Sequence, residues 1–378
     1  MLLKRTVEKE ILRKLKTQNK VIIIYGARQV GKTTLVEQII RLRKFKKVLK
    51  INADQQKHID IFSKRDFSAM EKIVHGNDLV FIDEAQRIPE IGINLKILTD
   101  NLPKLKIIAT GSSSFDLANK LAEPLTGRKW TFTLFPFSIS ELSGFLNKFE
   151  IIQKLEDLLI FGLYPEVILT KSVSQKISLL EELNGSYLYK DIFYLANIKQ
   201  TTKLRDLLKL LAFQIGQEVS VHELSNSLGI SRETVDRYID LLEKSFVLFR
   251  QPSFSRNPRN EITKMNKIYF WDIGIRNAVI DNFKGLSDRS DTGQLWENFL
   301  IAERYKFLHN KGINHYGYFW RTYSGVEIDY VEQIKGKLYV YEFKFSKTKA
   351  KIPQSWKEKY PDSKFKLINK DNFMDILF

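Results

Sequence analysis

The residues best placed to do chemistry are nine in a row, Gly26-Ala27-Arg28-Gln29-Val30-Gly31-Lys32-Thr33-Thr34. Their spacing, G-x-x-x-x-G-K-T, is that of a phosphate-binding loop. Gly26 and Gly31 let the backbone curl until successive N–H groups face one anion. Lys32 supplies a cation for the β- and γ-phosphates, and the Thr33 hydroxyl is expected to ligate Mg²⁺. An apolar strand over 21–25 precedes the loop, and residues 34–43 read as a helix whose positive end meets the phosphates.

Two carboxylates follow about fifty residues on, where Leu79-Val80-Phe81-Ile82-Asp83-Glu84 reads as an apolar strand ending in acids. Tied to a phosphate-binding loop, this places Asp83 in the outer shell of the Mg²⁺ and Glu84 where it orients or deprotonates an attacking water. The next strand, 106–110, runs into Gly111-Ser112-Ser113-Ser114. A polar strand end lying between those two strands would sense the γ-phosphate, so Thr110 or Ser112 is the sensor candidate.

A second set of acids lies towards the C-terminus. Residues 326–330 and 338–344 alternate as strands. Period two puts Glu342 and Lys344 on one face, opposite Tyr341 and Phe343, and Asp329 joins them from the neighbouring strand. Carboxylates that converge in this way bind Mg²⁺, and a lysine beside them can help activate water for phosphodiester cleavage. The same residues also suit the exposed face of an antiparallel hairpin, and spacing alone leaves both readings open.

The elements that position these groups read in order as follows. An amphipathic helix over 1–20, with Val7, Ile11, Leu12 and Leu15 on one face, is placed to lie against the base side of a nucleotide. Strands at 48–53 and 130–134, with helices at 67–75 and 114–121, complete an alternating α/β pattern that closes at Pro136. Residues 139 to about 215 turn to helical periodicity, a lid over the nucleotide that contains a Tyr164-Pro165-Glu166 turn and an aromatic segment over 187–194. Val221-His222-Glu223-Leu224-Ser225 opens one helix, Gly229-Ile230 turns the chain, and Ser231 caps a second helix. Strands at 246–249 and 267–270 then make a winged helix-turn-helix pattern. Its second helix presents the mixed set Arg232, Glu233, Asp236, Arg237 and Asp240, whereas Arg256, Arg259 and Lys264 on the wing suit DNA better. DNA contact and a structural or protein-binding module both fit. A polar linker from about 281 to 293 leads into a helix opened by Trp296-Glu297-Asn298-Phe299.

At 378 residues, 43% hydrophobic and 28% charged, the chain has material for two or three domains. The absence of Cys excludes disulfides, thiolate zinc sites and a Cys nucleophile, and suits a reducing cytosol. No apolar run reaches membrane-spanning length, and the opening residues lead into a charged helix rather than a signal-peptide core; a cytoplasmic location without a membrane partner is expected. Net charge is +17, with 15 Lys/Arg against 3 acids in residues 1–50. The densest run, Arg41, Arg43, Lys44, Lys46, Lys47 and Lys50, draws polyanions at long range or simply solvates a helix face.

Residues 26–34, 79–89, Gly111-Ser112-Ser113, Gly127-Arg128, Tyr164-Pro165-Glu166, Phe270-Trp271-Asp272-Ile273-Gly274 and 296–344 together resemble one family of prokaryotic AAA+ ATPases. In that family an ATPase domain precedes a winged helix and a restriction-endonuclease-like, PD-(D/E)XK domain. The resemblance implies an α/β fold: an AAA+-like P-loop core with a parallel sheet over 1–138, a helical lid over 139–215, a winged helix-turn-helix over 216–282 and a nuclease-like domain over 283–378. It implies that Arg128 is an arginine finger completing the site of a neighbouring subunit, hence a homo-oligomer. Asp329, Glu342 and Lys344 match the nuclease motif, with Glu297 the helical acid that joins Asp329 and Glu342 on a metal. No guanine-selecting motif accompanies the loop, so ATP with Mg²⁺ is the expected pair. The implied function is ATP hydrolysis coupled to DNA binding and metal-dependent DNA cleavage. The alternatives are an ATP-controlled switch that binds a protein partner and cleaves nothing, and an ATP-regulated DNA-binding protein with an inert nuclease fold.

Overall fold

The computed structural model describes residues 3–17, 20–111, 124–187, 200–255 and 265–378. Ser112, Arg256, Arg259 and Lys264, the helix expected over 114–121 and nearly all of the 187–194 segment lie outside the described residues.

Strands β1 (Val21–Tyr25), β2 (Val48–Asn52), β3 (Leu79–Asp83), β4 (Lys106–Gly111) and β5 (Lys129–Thr133) form one parallel sheet in the order β2-β3-β4-β1-β5. β1 is buried along its whole length, so both of its faces are apolar and its sequence is a continuous run instead of an alternation. Ile22 and Ile24 pack towards helices α1 (Thr6–Thr17) and α2 (Lys32–Arg43). Val21, Ile23 and Tyr25 face the other layer, made of α3 (Gln56–Phe62), α4 (Phe67–Val74) and α5 (Ile91–Asn101). β4 lies between the loop-bearing β1 and the acid-bearing β3, as the sequence predicts. Because all five strands run the same way, the ends of β1, β3 and β4 meet at one edge, where ligands bind in open α/β sheets.

After Pro136 come α6 (Ile139–Leu142), α7 (Lys148–Gln153), α8 (Leu155–Phe161), α9 (Pro165–Leu169), α10 (Val173–Glu182) and α11 (Thr201–Phe213). Tyr164-Pro165-Glu166 is the start of α9 and not a free turn; Pro165 occupies the first turn of a helix, where its missing N–H is not needed.

Next, α12 (Val221–Leu228) and α13 (Arg232–Lys244) pack against a small antiparallel sheet of β6 (Glu218–Val219), β7 (Leu248–Gln251) and β8 (Asn266–Phe270), ordered β6-β8-β7. Ser231 caps α13 as expected, its Oγ accepting the Thr234 N–H at 3.2 Å. After α14 (Ile273–Val279) the expected polar linker is instead a pinned strap. Asp291 accepts from Arg276 Nη1 at 2.5 Å and Arg289 Nε at 2.8 Å, and both arginines are buried. Burial opposes it, yet these hydrogen bonds hold the Asp291 carboxyl at about 2.

The C-terminal unit runs α15 (Thr292–Asn310), β9 (Tyr316–Arg321), β10 (Glu327–Ile334), β11 (Lys337–Phe343), α16 (Gln354–Lys359) and β12 (Lys364–Ile368). Its sheet is ordered β12-β11-β10-β9, with β12 parallel to β11 and the rest antiparallel. The β9–β10 register shifts between Ile328 and Val331, an irregularity that falls at Asp329. One contiguous core joins Phe135, Leu158, Leu207, Tyr238, Phe270 and Trp296. Residues on both sides of the limits expected at 215/216 and 282/283 contribute to this core. Among the described residues no helix is long and apolar enough to cross a membrane.

Candidate active site

The loop after β1 has the geometry its two glycines make available. A Cβ on Gly26 would lie 2.2 Å from the Leu134 carbonyl oxygen, so only glycine fits where the loop crosses the end of β5. Gly31 sits at φ 92° directly ahead of α2, a left-handed conformation that glycine adopts freely. Lys32 is buried and its Nζ donates to the carbonyl oxygens of Gly26 at 2.9 Å and Ala27 at 2.8 Å, which folds the ammonium into the curl of the loop. Ala27 and Val30 anchor the loop in the core, while Arg28, Gln29, Thr33 and Thr34 face the cavity beside it.

That cavity has a volume of about 680 Å³, the size range of a cofactor site. Arg28, Lys32, Thr33 and Glu84 line its polar end, and Leu3, Phe137, Pro165 and Leu169 form an apolar wall. α9 supplies Pro165 and Leu169 to this wall, and the chain just ahead of α1 supplies Leu3.

Beneath the cavity, Asp83 joins two hydroxyls. Thr33 Oγ1 donates to Asp83 Oδ2 at 2.8 Å, and Thr110 Oγ1 donates to Asp83 Oδ1. Two hard oxygen donors at the loop's phosphate end are the donor set that Mg²⁺ takes, so Thr33 and Asp83 fit the ion. Thr110 is fully buried and acts on Asp83 from β4 instead of lining the cavity. Glu84, next along, has φ 54°, which turns its side chain out of the strand direction into the cavity, and its Oε2 accepts from Gln86 Nε2 at 2.6 Å.

The sequence gives no sign of Arg5. Buried just ahead of α1, it donates Nη1 to Glu141 Oε2 at 3.0 Å and Nη2 to the Val30 carbonyl at 3.1 Å, and reaches the Phe135 carbonyl as well. Burial lowers its pKa while Glu141 opposes that shift. Arg5 thus ties the phosphate loop, the exit of β5 and α6 into one unit. Arg87 pairs with Asp54 at 2.5 Å on the cavity rim, and no local sequence pattern marks it.

Arg128 lies elsewhere. Its carbonyl accepts from Val21 N at 2.9 Å, which puts it where β1 and β5 begin, the far end from the loop. Its Nε donates to Asp100 Oδ1 at 2.7 Å, and it is not among the lining residues.

In the C-terminal unit the alternation expected for β11 is observed, and Lys344 Nζ lies 2.7 Å from Glu342 Oε1 and 3.4 Å from Asp329 Oδ2. Asp329 Oδ2 also accepts the Phe343 N–H at 2.7 Å. Glu297 on α15 is met by Lys267 Nζ at 3.2 Å and by the Tyr269 hydroxyl at 2.6 Å; Lys267 also pairs with Glu327. Burial, with Asp329 adding repulsion against the pull of Lys267, raises Glu297 to about 7. Burial and Asp329 likewise raise Glu342. The expected metal set of Glu297, Asp329 and Glu342 is not assembled: among the described residues no group of three or more His, Cys, Asp or Glu is placed to hold a metal ion. Two lysines, Lys267 and Lys344, stand among these acids and pair with Glu297 and Glu342.

A glycine-rich loop between a buried strand and a helix, an acid-ended strand two places away and a strand between them define a P-loop nucleotide-binding domain. Residues 18–143 match the family described as AAA domain. Residues 152–286 and 292–374 match two families each described as a domain of unknown function, DUF8612 and DUF4143. An uncharacterized protein of Mycobacterium tuberculosis is 26% identical over 92% of this chain and 75% of its own length. One from Methanocaldococcus jannaschii is 26% identical over 83% of this chain and 72% of its own. In fold, the chain resembles a Walker-type ATPase of Pyrococcus abyssi, at TM-score 0.51 and 17% identity, over 74% of this chain and 96% of that one.

Proposed function

We propose that this chain is a Mg²⁺-dependent ATPase whose nucleotide state is passed to its C-terminal unit. The observation that carries the reading is the Thr33–Asp83–Thr110 chain of hydrogen bonds under a cavity that Lys32 and Glu84 line. Lys32 and the loop N–H groups hold the β- and γ-phosphates. Glu84 orients a water and takes its proton as the water oxygen bonds to the γ-phosphorus and the bond to ADP breaks, leaving ADP and phosphate. Bound at Thr33 and Asp83, Mg²⁺ would neutralise phosphate charge. Arg128, at the far end of the sheet, serves in this scheme only the cavity of a second copy.

The route outward runs through the cavity wall. Phe137 lines the cavity, its carbonyl accepts from Lys306 Nζ at 3.3 Å, and Ile139 N donates to Glu303 Oε2 at 2.6 Å. Both charged residues are on α15, the helix that carries Glu297. Movement of the 135–141 segment on nucleotide binding would therefore move α15.

The α-β-β-β-α-β order supports a nuclease-like scaffold for the C-terminal unit, and the acid–lysine pairing supports binding over cleavage. A switch that acts on a protein partner is favoured at α13, where Arg250 is drawn back onto Asp240 and Glu243 at 2.6 Å each and leaves a mixed outward face. The test is nucleotide binding followed with a fluorescent ATP analogue: wild type binds, Lys32→Ala does not. Equal binding by both would refute the site.

A further inference from the structure

The five strands of the ATPase sheet begin at one edge, and that edge is basic. Lys20 stands directly ahead of β1 and Lys47 ahead of β2, while Lys106 and Lys129 open β4 and β5. The pairings Val48↔Leu79 and Leu79↔Lys106 place Lys47 one residue ahead of Lys106, and Val21↔Lys129 places Lys129 one residue beyond Lys20, so the lysines step across the sheet by one residue at a time. With strands about 4.8 Å apart, four spacings make a row about 19 Å long. α2 ends on the same edge and adds Arg41, Lys44 and Lys46, all exposed, and Lys104 is exposed just ahead of β4.

Burial and the neighbouring Arg43 hold Lys106 below the ordinary lysine range, so helix and sheet cations crowd one another. The counter-charges are already engaged. Asp78, ahead of β3, accepts the N–H groups of Lys46 and Lys47 at 2.9 and 3.1 Å, and Asp100 holds Arg128. Among the described residues no ion pair engages Arg41, Lys44, Lys46, Lys47 or Lys104. Cations at a helix C-terminus favour its dipole, which accounts for Arg41 and Lys44 but not for a row along strand starts.

We propose that this edge binds the sugar–phosphate backbone of a nucleic acid. Lysines stepped along the edge on either side of Asp78 meet successive phosphates, and a row of about 19 Å spans a major groove of about 12 Å with cations to spare on both sides. A membrane would call for apolar side chains projecting beyond the cations; of the exposed large apolar residues described, only Leu42 lies on this edge. α13 is the weaker candidate, since Glu233 and Asp236 offset Arg232 and Arg237 there. The edge lies at the opposite end of the strands from the phosphate loop, so this inference is independent of the ATPase reading.

The test uses the full chain carrying Lys44→Gln, Lys46→Gln, Lys47→Gln and Lys104→Gln together, with labelled duplex and single-stranded DNA followed by fluorescence anisotropy against salt. Wild type is expected to lose on the order of 10³ in affinity between about 50 and 200 mM salt, the signature of about six phosphate contacts. The variant is expected to bind at least about tenfold more weakly, with a salt slope shallower by about 3 to 4. Its ATPase rate and unfolding temperature should stay those of wild type, and Arg232→Gln/Arg237→Gln should bind as wild type does. Unchanged affinity and slope in the lysine variant would overturn the proposal. So would loss of binding only in the α13 variant, or wild type that binds phosphatidylserine vesicles but neither form of DNA.

Discussion

Thr33 and Asp83, fifty positions apart in sequence, are joined by a 2.8 Å hydrogen bond from the Thr33 hydroxyl to Oδ2 of the carboxylate. The loop after β1 and the end of β3 are thereby brought to one point, with Thr110 fixing the other carboxylate oxygen from the strand between them. In the proposed function these two side chains are the pair that would hold Mg²⁺.

Thr33→Val keeps the shape of the side chain and removes the hydroxyl. The Mg²⁺ concentration needed for half-maximal ATP hydrolysis should rise about 10- to 100-fold, with the unfolding temperature nearly unchanged. An unaltered Mg²⁺ dependence would remove Thr33 from the metal site.

Arg5→Met should destabilise the chain by about 3–5 kcal/mol in denaturant unfolding, because it leaves Glu141 charged and buried without its partner. Adding Glu141→Leu should recover part of that loss, since the second change removes the stranded charge. A single variant as stable as wild type would show that Arg5 does not lock the loop to α6.

Much of this was legible because its chemistry is local. Residues 26–34 carry their own strand, curl and helix, and Asp83 ends an apolar run; the position of β4 follows from chain order. Arg5 was not legible because its side-chain partners lie 25 to 136 residues away and nothing nearby marks it. The 281–293 stretch reads as a linker because Arg289 and Asp291 are polar, and only the fold shows that Asp291 is matched with both Arg276 and Arg289. Likewise, alternation brings Glu342, Lys344 and Asp329 together, but it cannot reveal that Lys267 from β8 enters the same group of acids. The short helix α3 has too few apolar repeats to stand out.

Glu297 makes stability pH-dependent with a definite sign. Its folded value, about 7, lies above the ordinary 4.5, so the stability held by its protonated form is present below 4.5 and lost as pH rises through 7. Comparing wild type with Glu297→Gln in denaturant unfolding, the wild type should lose up to about 3 kcal/mol relative to the variant over that window. Parallel curves would place the Glu297 carboxyl at its ordinary value.

Hydrogen exchange tests the route from the cavity. Saturating ATP analogue should change protection in residues 292–310 of wild type. Glu303→Gln/Lys306→Met should abolish that change and shift ATP affinity by about fivefold or more, the lower end of ordinary coupling energies. Identical protection with and without nucleotide in wild type would contradict the relay.

The most direct measurement is ATP turnover by Glu84→Gln beside its ATP affinity. The substitution keeps the cavity and removes the base, so affinity should stay near that of wild type while the rate falls by about 10² to 10⁴. Hydrolysis at the wild-type rate would contradict the account, because Glu84, the acid that follows β3, would then not act on the water.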